Sequence, residues 1–309
     1  MSKFKKLVFF NHFHNGDVFV SRTLVKQIVD SGVAEEYFYA THSDPKLLQD
    51  IDLTVIPVSD LTGIIFSEFD GYDIRKNTLS LIKESDAVYI NTWYRVSPVW
   101  ENWRVGLQSL IGLFKEYHKL LDIPWKEKDP HQFLPKVDFN KFEFLYLKEF
   151  LTNFSKGFTG KILVSNGKCL SGQCENFNMN TAINNLANRF PNYLFILTNN
   201  KKDPIDAENI IYASDICKNP KNLMEISYIS TMCDIIIGRA SGGYTFAHLQ
   251  QNFTNARQVF GAQAVNAEVC QFLHREPEYS SFIFNGLQNN DGTISLISDC
   301  IKKSVEVCT

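Results

Sequence analysis

The chain lacks any excess of positive charge: 31 lysines and arginines stand against 34 aspartates and glutamates, for a formal net charge of -3. Duplex nucleic acid, which is held by neutralising phosphates over a broad basic surface, is therefore excluded as the expected partner. No apolar run approaches the roughly 20 residues of a membrane-spanning helix, so membrane contact is expected to be peripheral at most. The first apolar run, residues 7–10, is too brief for a secretory signal and has no small-residue cleavage site after it. Of the seven cysteines, an odd number, only Cys169 and Cys174 lie close together, at a spacing that matches no zinc or redox pattern. Reduced structural thiols and a cytoplasmic location are the expectation. No Asp-x-Asp ends a strand, so neither a metal site nor a cofactor is called for, and no repeat or low-complexity tract interrupts the chain.

The chain does alternate strand and helix patterns. At 309 residues, 44% hydrophobic and 21% charged, it is long enough for two soluble domains, each with its own core. Branched and aromatic runs mark strands at 6–11, 37–41, 53–58, 64–66 and 86–91. Helical spacing marks 18–31, closed by Gly32, and 100–121, where Trp103, Leu107, Leu110, Leu113, Phe114 and Tyr117 recur at three- and four-residue steps. The proline-punctuated stretch 122–140 reads as a long surface loop of the kind that forms a binding loop or lid. After a helix at 142–154, the glycines of 157–160 suggest an interdomain hinge. Strands at 161–165, 193–198, 209–213, 234–238 and 258–260 then alternate with helices at 179–189, 222–233 and from 246 onward. A last helix, 293–307, is read as crossing back to the first domain. Such alternation implies parallel sheets covered on both faces. The expected fold class is α/β: two doubly wound, Rossmann-like domains, 1–156 and 157–309, facing a cleft.

Two turns carry chemistry. In Asp234-Ile-Ile-Ile-Gly-Arg-Ala-Ser-Gly-Gly-Tyr-Thr-Phe-Ala-His248 an apolar strand runs into small residues and then a helix. Ser241 can cap that helix, Gly242 and Gly243 let the backbone approach a ligand, and the N–H groups of the first turn face outward at the positive end of the dipole. With Arg239, Ala240, Tyr244 and Thr245 they form a turn suited to a phosphate, although an ordinary strand-to-helix turn reads the same way locally. The other turn, His12-Phe-His-Asn-Gly-Asp17, follows the first strand at its carboxyl end, where ligands bind in open α/β sheets. Asp17 is either a helix cap or, at the mouth of a cleft, a base for an acceptor hydroxyl. His12, His14, Asn15 and Gly16 are acceptor-side candidates. A His-x-His pair also occurs in metal-dependent hydrolases, but the further His and Asp ligands such sites need do not stand out, so hydrogen bonding to a ligand or to the turn is favoured. Trp93 and Tyr94, with Trp100 and Trp103, offer faces that stack on sugar rings; such clusters also make plain core or protein interfaces.

The pairing of Asn15-Gly16-Asp17 after the first strand with Ser241-Gly242-Gly243 after a late one resembles the GT-B glycosyltransferases, and is most like the ADP-heptose:lipopolysaccharide heptosyltransferases. That family carries a Gly-Asp in its first βα turn and a Ser/Thr-Gly-x-x-His turn on the donor diphosphate. The resemblance implies metal-independent, inverting transfer from a nucleotide-diphosphate sugar to a glycan or lipid-linked sugar, with Asp17 as base and residues 240–245 on the donor phosphates. Lys168 falls where the family places a cation against the donor, or is a solvated loop lysine. The family's acid before Ser/Thr-Gly is replaced here by Arg239-Ala240, and its histidine by Thr245, with His248 about a turn later. Arg239 can instead compensate diphosphate charge. For the ribose hydroxyls only Asn199, Asn200, Asp203 and Asp206 are candidates. Two other classes stay open: a noncatalytic nucleotide- or glycan-binding protein on this fold, and a nucleotide-sugar epimerase or phosphate-ester hydrolase.

Overall fold

A computed structural model describes residues 2–11, 14–61, 81–83, 87–92, 106–168, 176, 179–199, 205, 207–218, 223–239, 242–254, 258–263 and 281–285, and, near the carboxyl terminus, 292, 294, 295, 297–299, 301 and 302. The chain divides into two compact units, Met1–Lys141 and Phe142–Thr309.

The first unit runs β1 (Phe4–Asn11), α1 (Asn15–Asp30), β2 (Ala34–Thr41), β3 (Thr54–Pro57), β4 (Leu81–Lys83), β5 (Ala87–Asn91) and α2 (Gly106–Leu121). Its five strands lie in the order β3-β2-β1-β5-β4, parallel except for the antiparallel edge β4. Leu7, Val8, Phe9 and Phe10 are all buried, the continuous apolar run of a strand covered on both faces. α1 buries Val18, Phe19, Leu24, Val25 and Ile28, and the chain then leaves it through Gly32, whose φ of +66° is left-handed and suits glycine. α2 turns Leu107, Leu110, Leu113, Phe114 and Tyr117 inward, as their spacing predicts. The strand read at 64–66, together with Trp93, Tyr94, Trp100 and Trp103, lies outside the described residues. Strand order reverses between β1 and β5, so the ends of these two strands form the switch point at which an open α/β sheet accommodates ligands.

The stretch 122–140 is no free lid. It forms a short 3-10 turn at Pro130–Phe133 and buries Phe133, Leu134 and Val137. Thr23 Oγ1 donates to the Leu134 carbonyl at 2.9 Å and accepts from the Lys136 N–H at 2.9 Å, while the Asp138 N–H donates to Asp50 Oδ2 at 2.9 Å. Trp125 stacks on Phe133 with ring centroids 5.3 Å apart and meets the edge of His118. Three prolines erased the periodicity of this segment without removing its apolar anchors.

The second unit runs α3 (Leu145–Phe154), β6 (Gly160–Ser165), α4 (Met179–Arg189), β7 (Tyr193–Leu197), β8 (Ile210–Tyr212), α5 (Ala213–Ile216), α6 (Leu223–Ser230), β9 (Ile235–Arg239), α7 (Gly242–Thr245), α8 (Gln250–Thr254), β10 (Gln258–Gln263) and β11 (Ser281–Asn285). Six parallel strands lie in the order β11-β10-β9-β6-β7-β8, with the switch point between β6 and β9. Two expectations change here. The glycines of 157–160 join α3 to β6 inside this unit, so they are not a hinge between units; a Cβ on Gly160 would lie 2.7 Å from the Tyr193 ring and 3.1 Å from Asp234 Oδ2, which makes this glycine a close-packing residue. The described positions between 292 and 302 are helical, and Ile294, Ile297 and Ile301 pack with Ile162, Ile183 and Leu186 of the second unit's core; positions 303–307 of the expected helix lie outside the described residues. Of the helix expected from 246 onward, the described residues form the five-residue α8, which follows the four-residue α7 of the turn itself. Burial pushes the Cys217 thiol up to about 12, and the buried Cys233 thiol donates to the Ile229 carbonyl at 3.3 Å.

Candidate functional site

In the first unit, β1 ends in Asn11 and β5 in Asn91, polar residues that close the apolar runs 7–10 and 87–90 at the switch point. α1 begins at Asn15 and not at Val18, with His14 at the cap position. Asp17 is thus three residues into the structure, and its Oδ2 accepts the backbone N–H of His14 at 3.0 Å, the reciprocal half of a capping box. Burial is the largest influence on its acidity and raises its pKa above 3.8, against the opposing pull of the His14 N–H and side chain. His14 is exposed, Asn15 and Gly16 are half-buried in the first helical turn, and His12 lies outside the described residues.

Behind this turn lies a buried polar network that sequence reading missed. Asn11 Nδ2 donates to Thr92 Oγ1 at 3.2 Å, the Tyr39 hydroxyl lies 2.7 Å from the same oxygen, and Ser21 Oγ, one turn along α1 from Asp17, is 3.4 Å from the Tyr39 hydroxyl. Tyr117 OH donates to the Asn91 carbonyl at 2.7 Å. Burial pushes the Tyr39 phenol up to about 12, so it remains a neutral hydrogen-bonding group. The polar residues that end β1 and β5 are the signal that could have revealed this cluster. It fixes the ends of both strands beside the helix that carries Asp17.

In the second unit, the switch point brings together the segments that follow β6 and β9. Ser165 and Asn166 are buried, Gly167 is half-buried and Lys168 is exposed; Asn166 Oδ1 accepts the Asn199 N–H at 2.9 Å, tying the loop after β6 to the one after β7. Arg239 is buried and its Nη1 donates to Asn176 Oδ1 at 2.9 Å. Ala240 and Ser241 lie outside the described residues. α7 is a single turn, so its outward N–H groups act as local donors and not as the end of a long helix dipole. A Cβ at Gly243 would lie 2.9 Å from Ser165 Oγ and 4.0 Å from Thr198 Oγ1; one at Gly238 would lie 2.6 Å from the Tyr244 ring and 2.8 Å from Ser165 Cβ. These two glycines therefore let the turn close onto the ends of β6 and β7. Tyr244 points inward, its ring edge-on to His248 with centroids 4.2 Å apart, and Thr245 is half-buried. Burial pushes the His248 imidazole down to about 3, and neither of its nitrogens has a hydrogen-bond partner among the described residues. The edge as a whole offers N–H groups, hydroxyls, amides and two cationic side chains, a lining suited to an anion. Among the described residues no group of three or more His, Cys, Asp or Glu side chains could hold a metal ion, and no helix is long and apolar enough to cross a membrane.

No protein-family model matches the chain, and no curated protein matches it in sequence. Solved structures match it in fold. The glycosyl transferase family 9 protein of Veillonella parvula DSM 2008 is 12% identical, with 96% of this chain and 90% of that one covered at a TM-score of 0.56. E. coli heptosyltransferase WaaC with ADP is 8% identical, with 96% and 100% covered at a TM-score of 0.53. WaaC with ADP-2-deoxy-2-fluoro heptose gives 9% identity, 98% and 100% coverage and a TM-score of 0.52. At such identities it is the fold that is shared: this chain has the α/β fold of glycosyltransferase family 9 and ADP-heptose heptosyltransferase structures, the family that its two turns resemble.

Proposed function

We propose that the protein is a metal-independent glycosyltransferase that moves a sugar from a nucleoside-diphosphate donor on its second unit to a hydroxyl of a glycan or lipid-linked sugar received by its first, in the cytoplasm. The observation that supports this reading most is positional: each of the two turns follows a strand that borders the switch point of its own sheet, in a chain with the fold of known glycosyltransferases. The Asp17 carboxylate takes the acceptor's proton as the acceptor oxygen attacks the anomeric carbon, and the bond from that carbon to the diphosphate breaks with inversion. Lys168, Arg239 and the N–H groups of the turn from 240 to 245 stabilise the departing diphosphate. His12, His14, Asn15, Gly16, Trp93 and Tyr94 belong to the acceptor side.

The second reading, a noncatalytic nucleotide- or glycan-binding protein, is favoured by one observation: a carboxylate that accepts the His14 N–H has a structural task already. Release of nucleoside diphosphate from nucleotide sugars, measured with and without glycan acceptors, separates the two. Acceptor-dependent release with a glycosylated product is expected; nucleotide binding without release supports the noncatalytic reading, and release without any acceptor points to a hydrolase. ADP-heptose is the first donor to try, because the WaaC structures hold ADP and an ADP-heptose analogue.

A further inference from the structure

We propose that Ser165 is a further donor-binding residue, its hydroxyl reserved for an oxygen of the donor's diphosphate. This rests on the glycosyltransferase reading and deepens it at a residue that no motif marks. Ser165 is the last residue of β6, paired with Gly238 of β9 at the switch point, and only 2% exposed. Its Oγ is enclosed by protein and has no hydrogen-bond partner among the described residues. A buried hydroxyl without a partner destabilises the fold, and alanine at this position would avoid the penalty. The hydroxyl has a definite direction: it lies 2.9 Å from the point where a Cβ of Gly243 would stand, so it faces the turn Gly242–Thr245, with Thr198 Oγ1 on the same side. Any side chain at position 243 would press on it.

The turn presents backbone N–H groups and follows the Arg239 strand end, and the exposed Lys168 lies three residues after Ser165. All of these are donors or cations, so the ligand that completes them is an acceptor-rich anion. A phosphate oxygen seated on the turn, with the turn drawn back far enough to uncover the enclosed Oγ, gives Ser165 the acceptor it lacks, and a neutral hydroxyl adds a donor there without adding charge. The serine is thus unsatisfied in the free protein and satisfied in the complex, which gives its removal opposite effects on the two states.

Calorimetric titration of the intact protein with ADP, GDP and UDP, paired with thermal unfolding of the ligand-free protein, reads both. Ser165→Ala is expected to weaken the bound nucleotide about 10- to 100-fold, the scale of one hydrogen bond to a charged group, while leaving the ligand-free melting temperature unchanged or raised. Ser165→Cys, similar in shape but a weaker donor, is expected to fall between parent and alanine. Parental affinity in Ser165→Ala overturns the inference and leaves the donor site standing. A ligand-free Ser165→Ala protein that melts lower or fails to fold overturns it too, because the hydroxyl then has a structural partner. A parent that binds none of the three nucleotides overturns the donor reading itself.

Discussion

Asp17 answers to two demands at once. As the acid of the capping box it accepts the His14 N–H, and as the proposed base it must be ionised before an acceptor arrives. Its pKa is raised by burial above 3.8, so the folded chain holds this proton more tightly than the unfolded chain does. The stability Asp17 contributes is therefore fully present at low pH and is lost as pH rises from 3.8 through the raised value. Asn keeps the size and an accepting oxygen but does not titrate in this range. In urea unfolding at stepped pH, the stability of the parent relative to Asp17→Asn should fall across that window and then level; a relative stability that rises with pH would mean a depressed pKa instead. The proposed transfer should gain rate with pH through a midpoint above 3.8, and Asp17→Asn should lose about 100- to 10,000-fold in rate with nucleotide affinity nearly intact. A variant that transfers at the parental rate removes Asp17 from the mechanism. Asp17 was legible in the sequence because a Gly-Asp pair follows an apolar strand, but its position in the helix was not, since His14 is not among the usual cap residues. Ser165 was not legible at all. It reads as an ordinary end of a strand, and its unsatisfied hydroxyl is created by Gly238 and Gly243, which are distant in sequence.

At the scale of elements, the apolar runs of β1, β7 and β9 announced themselves because strands covered on both faces have no polar face to alternate with. The segment 122–140 hid its packing, since prolines break the repeat that marks a helix while Phe133, Leu134 and Val137 still go inside. Its attachment depends on a pair that spacing does not reveal: Arg22 of α1 and Asp50, whose side chains are 0% and 2% exposed, form an ion pair, and Asp50 also accepts the Asp138 N–H. Breaking a buried pair strands the remaining charge. Asp50→Ala should therefore lower unfolding stability by about 3–5 kcal/mol in denaturant titration and should expose 122–140 to limited proteolysis. Parental stability with an uncleaved segment would show that Arg22 finds another partner and that the apolar anchors hold the segment alone.

The whole molecule was legible as two runs of alternating strand and helix, and two mostly parallel sheets are what forms. Strand order was not, because the neighbours β1 and β5, and likewise β6 and β9, meet across long separations in sequence. The assignment of α3 also escaped: a helix with one apolar face suits either unit, and this one buries Leu147 and Leu151 and closes with the second. Order matters more than element count for function, since reversal of strand order makes the turn after β1 and the turn after β9 follow strands that border switch points. The central claim is that the second of these is a nucleoside-diphosphate site, and calorimetric titration of the intact protein with ADP, GDP and UDP tests it most directly. One of the three is predicted to bind at a single site, and Gly242→Val, which adds a side chain to the turn, is predicted to abolish that binding. No binding of any of them to the parent protein, or equal binding to Gly242→Val, would contradict the account.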